Sequence, residues 1–221
     1  MSVYSSFNLR YEVHNDQDEE LNGIVTQLTE LVEQGETLKS DRATSVTRVR
    51  FRNRDLIVKQ FTARSVWHSI KRVMRRSRAN NAWNASVAFT EAGIAVPAAL
   101  MYMERRIGLL RFDSFFVYQA IDGDSLLEVL PSVGPIEQAA LIEQLASLFS
   151  KLRANHLVHG DMKATNLLVV GGQVVIIDLD VAGRCKHLFS RAHARDQKRF
   201  LKNWIGNESL SEELCEQINT S

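Results

Sequence analysis

The stretch that most constrains this chain is residues 157–180, LVHGDMKATNLLVVGGQVVIIDLD. Two apolar, largely β-branched runs, 167–170 and 174–177, are joined by Gly171-Gly172-Gln173. Glycines between such runs predict a tight hairpin, whose turn demands backbone angles that side chains resist. Polar groups crowd both flanks: His159, Asp161, Lys163 and Asn166 before the first strand, Asp178 and Asp180 after the second. A hairpin brings the outer ends of its strands together. Asn166 and Asp178 are therefore expected side by side, with Asp161 one turn of loop away. Such hard oxygen donors suit Mg²⁺, which keeps several waters and bridges substrate phosphates. Asp161 is then available to accept a proton from an incoming hydroxyl. The competing reading, a core hairpin with solvated polar ends, gives no reason for the register of these residues.

The spacing resembles that of the protein-kinase catalytic loop: His-x-Asp, Asn five residues after the Asp, and a metal-binding Asp beyond the next strand pair. The HGD-x-K-x-x-N form resembles the small-substrate branches of that superfamily. His159 is read as a brace for the loop and His156 as structural. Asp180 is read as aiding the metal or binding local backbone.

A chain of 221 residues can bury a good core as one large domain or two small lobes. A net charge of +1 argues against a general polyanion binder, so no nucleic-acid partner is expected. Cys185 and Cys215 lack metal-ligand spacing and read as free thiols. No apolar run is long enough to span a bilayer. The first residues show no basic region followed by an apolar core, so a cytoplasmic location is expected.

Leu21, Ile24, Val25, Leu28, Leu31 and Val32 recur at helical spacing after an acidic cluster, and this helix is expected to end near Gly35. TSVTRVRF alternates as a strand, 53–55 read as a turn, and LIVKQF follows as the next strand. Lys59 inside that apolar run is unusual, because an unpaired buried ammonium is costly, so it is expected to point at an anion. Residues 62–78 carry Val66, Trp67, Ile70, Val73 and Met74 on one helical face, with Arg64, Lys71, Arg72, Arg75, Arg76 and Arg78 around the rest. That pattern suggests contact with anionic lipid or a phosphorylated acceptor; a helix whose arginines are merely solvated is the other reading. A second helix is expected over 83–92, and Asn81 and Asn84 occupy more plausible turns of that helix region than Glu91 for a partner of Lys59. A strand over 114–121 follows, then a turn and a helix over 125–130, which Asp124 or Ser125 caps. A scaffold helix over 136–155 is expected to turn Ala140, Leu141, Leu145, Leu148, Phe149 and Leu152 inward. Asp196 and Arg199 read as structural.

Five blocks together carry a sharper resemblance: RRSRANNAWNASVAFTEAGIAVPAAL, VYQAIDGDSL, HGDMKATNLLV, IDLD and RDQKRFLKNW. In order and spacing they resemble the bacterial lipopolysaccharide kinase family, the Kdo/heptose kinases of the lipopolysaccharide core, over roughly residues 35–205. The resemblance implies an α+β, protein-kinase-like two-lobed fold with a truncated, mainly helical C-terminal lobe. The N-terminal lobe would be residues 1–120 and the C-terminal lobe 121–221. It implies ATP and Mg²⁺ as cofactors and a core sugar hydroxyl as acceptor, at the inner face of the cytoplasmic membrane, with residues 64–78 meeting the membrane surface. Asp161 and Lys163 would be catalytic, with Asn166 and Asp178 on the metal. Lys59 would contact the α/β-phosphates, Thr44 and Ser45 would stand in for the missing glycine-rich turn, and Gln119, Ala120 or Ile121 would meet adenine. The helix glutamate that pairs with the strand lysine has no clear counterpart: Glu91 either fills that place or the pair is absent. No A-P-E follows, Asp178-Leu179-Asp180 replaces D-F-G, and Gly160 stands where an arginine would read an activation-loop phosphate. No phosphorylation switch or protein-substrate platform is therefore expected. The alternatives are a small-molecule kinase of the aminoglycoside or choline type and a non-catalytic kinase-like binding module.

Overall fold

A computed structural model describes residues 2–5, 9–13, 19–62, 76–107, 110–185 and 187–220. The chain divides into two compact units, Met1–Asn84 with Ala98–Ala120, and Ala85–Pro97 with Ile121–Ser221. The expected division into 1–120 and 121–221 placed residues 85–97 in the first unit. They pack instead in the second, where Ala85, Phe89 and Ile94 are buried in its core.

Among the described residues, the first unit is a seven-stranded antiparallel sheet. Its strands are β1 (Ser2–Ser5), β2 (Leu9–Val13), β3 (Glu36–Ser40), β4 (Thr44–Phe51), β5 (Arg54–Phe61), β6 (Ala99–Ile107) and β7 (Leu110–Gln119), in the spatial order β1-β2-β6-β7-β5-β4-β3. Helix α1 (Glu19–Gln34) covers one face and stops just before Gly35. Its Ile24 and Leu28 are buried with Val49, Leu56, Val58, Met101 and Val117. Alternation leaves Lys59 on the other face of β5, opposite Val46 on β4 and Phe116 on β7.

Two local expectations need correction here. The β4–β5 turn lies at Arg52-Asn53, because Phe51 already pairs with Arg54, and Arg52 adopts a left-handed φ of 53° to close it. Thr44 and Ser45 belong to β4, which spans the expected TSVTRVRF strand, so the turn before it ends at Ala43. The Asp41 carboxylate accepts the N–H groups of Ala43 and Thr44, and the Asp41 N–H donates to the Thr44 carbonyl, which together close that turn.

Helix α2 (Arg78–Glu91) starts five residues before the expected 83. The Ser77 hydroxyl accepts the Asn80 N–H at 3.0 Å, an N-cap signal that the sequence reading passed over. Asn81 and Asn84 are both helical, and the Asn84 amide bonds back to the Asn80 carbonyl. The basic helix expected over 64–78 lies outside the described residues apart from 76–78.

The second unit is built on α4 (Pro135–Ala154), with Pro135 at its first turn. Leu141, Ile142, Leu145, Leu148, Phe149 and Leu152 form its buried stripe, while Ala140 lies off the stripe and is exposed. The expected helix over 125–130 splits into β8 (Asp124–Ser125) and α3 (Leu126–Val129). Pairing with the hairpin claims the backbone of Asp124 and Ser125. Asp124 is thus a strand residue, and the buried Ser125 hydroxyl makes no cap hydrogen bond. After α4, His156 takes a φ of 52° and turns the chain into β9 (Leu157–Val158), which pairs with β12 (Gly183–Arg184). Strands β10 (Leu167–Val170) and β11 (Gln173–Ile176) lie between them in sequence. Helices α5 (Phe189–Leu201) and α6 (Glu208–Thr220) complete the unit, burying Phe200, Leu210, Leu214 and Ile218 in the α4 core.

Candidate active site

The expected hairpin forms with a two-residue turn. Val170 pairs with Gln173, and Gly171 and Gly172 have φ values of 55° and 80°, both left-handed. Leu167 pairs with Ile176, and the ladder runs one step further, since the Ile177 N–H donates to the Asn166 carbonyl at 3.0 Å. Asn166 is thereby fixed against the residue preceding Asp178. Asp178 itself has a φ of 64°, a left-handed conformation uncommon for a residue with a side chain and frequent at functional sites.

The loop from β9 to β10 is held at several points. Met162, Ala164 and Leu167 are fully buried and peg it to the core. The His159 ring is also fully buried, with Nε2 3.0 Å from the Ile177 carbonyl and Nδ1 accepting the Asp161 N–H at 3.3 Å. Nε2 must therefore carry the proton, and the ring ties the loop to the hairpin exit. Asp196 on α5 is buried and accepts the His159 N–H at 2.7 Å and the Gly160 N–H at 3.0 Å. Gly160 has a φ of 81°, and a Cβ there would sit 3.1 Å from the Val181 carbonyl oxygen. That position needs glycine for both reasons.

Three of the expected residues meet on this scaffold. The Asn166 side-chain amide donates to the Asp161 carbonyl at 2.9 Å. Its Oδ1 then has no protein partner among the described residues, which leaves an amide oxygen for a cation. The Asp161 carboxylate takes Lys163 Nζ on Oδ2 at 3.0 Å and the Arg199 guanidinium on Oδ1. Burial alone would raise the Asp161 pKa, but hydrogen bonds and charge from Lys163 and Arg199 outweigh it and hold the group below the ordinary carboxylate value. Asp161 is thus ionised at neutral pH. The donor set suits Mg²⁺: one carboxylate and one amide oxygen, with the remaining positions left to water and phosphate. No cluster of three or more His, Cys, Asp or Glu of the kind that holds Zn²⁺ occurs among the described residues.

Of the other expected residues, Lys59, Thr44, Ser45, Gln119 and Ala120 lie in the first unit, and Glu91 and Ile121 in the second. Lys59 is buried, with its ammonium 5.6 Å from the centroid of the Phe61 ring. Thr44 is on the same sheet face, and its hydroxyl accepts from Arg78 at 2.9 Å, while the Arg78 guanidinium lies 4.6 Å from the Phe61 ring centre. Ser45 pairs with Gln60 and points to the opposite face. The backbone N–H groups of Gln119 and Ala120 donate to Ala98 and Asp55, both at 2.9 Å. Ile121 keeps an N–H without a protein partner among the described residues. Glu91 is solvated and ion-paired with Arg184 at 3.2 Å.

Sequence reasoning missed the parts played by Asp196 and Arg199. The signal was present: an acid and a cation three residues apart fall on one helix face, on a helix whose other charges are all basic.

Residues 26–219 match the family model for the lipopolysaccharide kinase (Kdo/WaaP) family. No curated protein matches the sequence. Among solved structures, WaaP in complex with acyl carrier protein is similar, with a TM-score of 0.73 at 19% identity, covering 96% of this chain and 89% of that one. That likeness shows a shared kinase-like α+β fold. The family match settles the assignment: this chain belongs to the lipopolysaccharide kinase (Kdo/WaaP) family and is an ATP-dependent kinase.

Proposed function

We propose that this kinase transfers the γ-phosphate of ATP to a Kdo or heptose hydroxyl of the lipopolysaccharide core, with Asp161 as the base. The observation that carries this reading is the mouth of the hairpin. A single asparagine, Asn166, is bonded through its amide to the Asp161 backbone and through its carbonyl to the residue before Asp178. These bonds support Asp161 as the base and Asn166 and Asp178 as the oxygen donors beside it.

Asn166 Oδ1 and the Asp178 carboxylate would hold Mg²⁺, which when bound neutralises phosphate charge and orients the triphosphate. Asp161, ionised at rest, accepts the proton of the acceptor hydroxyl. Lys163, half exposed on its flexible stem, moves to the charge that develops on the migrating phosphoryl group. Lys59 takes the α/β-phosphates, and the Ile121 N–H is the donor offered to adenine. Thr44 supports this surface through Arg78 rather than reaching phosphate by its own hydroxyl. Catalysis of this kind is mostly positioning and electrostatics, for which a pre-bonded loop is suited.

No helix among the described residues is long and apolar enough to cross a membrane. The basic run of the sequence at 64–78 would meet a lipid-linked acceptor at the membrane surface. The test is an acceptor panel: lipopolysaccharide core oligosaccharide, an aminoglycoside and choline, each with ATP and Mg²⁺. Phosphate transfer to the core oligosaccharide alone is expected. Transfer to an aminoglycoside or choline instead would replace this substrate assignment.

A further inference from the structure

We propose that Arg199 is a positioning residue for Asp161 in phosphoryl transfer, fixing one carboxylate oxygen so that the other faces the acceptor hydroxyl; this rests on the kinase reading above. Helix α5 presents Asp196 and Arg199 one turn apart, and both are directed at the same loop. Asp196 fixes the backbone of His159 and Gly160. Arg199 Nη1 bonds to Asp161 Oδ1 and lies 3.5 Å from the Gly160 carbonyl oxygen. The helix is itself immobilised, with Phe200 fully buried and Asp196 nearly so.

The two cations on Asp161 are not equivalent. Lys163 is on the loop, two residues from Asp161, and its ammonium swings on a four-carbon stem. Arg199 is a planar fork projecting from an anchored helix. Neither has another side-chain partner among the described residues. When Lys163 turns to the phosphoryl group, Oδ2 is released while Oδ1 stays held. The acceptor O–H bond then breaks with its proton passing to Asp161 Oδ2. The acceptor oxygen bonds to the γ-phosphorus, and the bond from that phosphorus to the bridging oxygen breaks, its electron pair leaving with ADP. Without Arg199 the carboxylate can rotate, and neither oxygen is reliably presented. An ion pair as exposed as this one adds little to folding stability. Loss of rate without loss of folding is therefore the mark of the role.

The test compares wild type, Arg199→Gln, Arg199→Lys, Asp161→Asn and the double variant R199Q/D161N, with Lys198→Gln as a neighbouring control. Readouts are kcat and KM for ATP with the core acceptor, and the thermal midpoint. Arg199→Gln is expected to lower kcat roughly 10- to 100-fold, with ATP KM and midpoint unchanged. Arg199→Lys should recover part of the loss and Lys198→Gln should match wild type. In the Asp161→Asn background, Arg199→Gln should add nothing, since the two residues act as one unit. Wild-type kcat in Arg199→Gln, or an equal further loss in the Asp161→Asn background, would overturn the proposal. Full activity in Asp161→Asn would remove the kinase reading at this site, and this inference with it.

Discussion

At the scale of single residues, the site depends on groups that never touch substrate. Asp196 is buried and bonded to two backbone N–H groups of the loop. Replacing it with alanine strands those donors and should cost about 3 kcal/mol, the range for hydrogen bonds to a buried charged group. Denaturant titration of Asp196→Ala checks this; a loss below about 1 kcal/mol would show that water replaces the carboxylate. Gly160→Ala must adopt a left-handed φ and press a methyl against the Val181 carbonyl. It should destabilise by roughly 1–3 kcal/mol and slow transfer, read from melting and turnover together. The juxtaposition of Asn166 with the residue before Asp178 was legible in the sequence because it follows from hairpin geometry. Asp196 and Arg199 were not, since their partners lie more than thirty residues away and the contact exists only after α5 docks.

At the scale of elements, α5 joins loop positioning to the packing of the second unit. His193 on its buried side lies 6.1 Å from the Phe149 ring and 5.1 Å from Phe189, centre to centre. Burial, aided by the Arg153 charge and opposed by Asp196, holds its pKa below the ordinary histidine value. The fold thus favours the neutral ring. In the unfolded chain a histidine protonates near pH 6.5, so stability is full above that value and falls as pH drops through it. The thermal midpoint of wild type should decrease from pH 7 to pH 5, and His193→Phe should flatten that decrease; an equal slope in both would assign the effect elsewhere. The same scale shows why β10, β11 and α4 were legible while β8 was not. Long periodic or β-branched runs declare themselves, whereas two polar residues become a strand only because a neighbouring edge accepts them. The start of α2 was readable from Ser77, whose hydroxyl caps it by accepting the Asn80 N–H.

At the scale of the molecule, the boundary between the two units falls within α2, after Asn84, and the rest of the helix with the segment after it buries Ala85, Ala88, Phe89 and Ile94 in the second unit's core. An even cut at residue 120 could not anticipate that, because periodicity marks which face of a helix is buried but not against which partner. If the basic run at 64–78 meets the acceptor's membrane, replacing Arg72, Arg75 and Arg76 with glutamine should abolish cosedimentation with anionic vesicles and leave binding to neutral vesicles unchanged. Undiminished anionic-vesicle binding would contradict that role. The account as a whole rests on Asp161 performing chemistry on a bound nucleotide. A single-turnover measurement with radiolabelled ATP, excess enzyme and core acceptor isolates that step. Asp161→Asn should lower the transfer rate by about 100-fold or more while ATP affinity holds, in keeping with loss of a general base. Transfer at the wild-type rate in that variant would contradict the account.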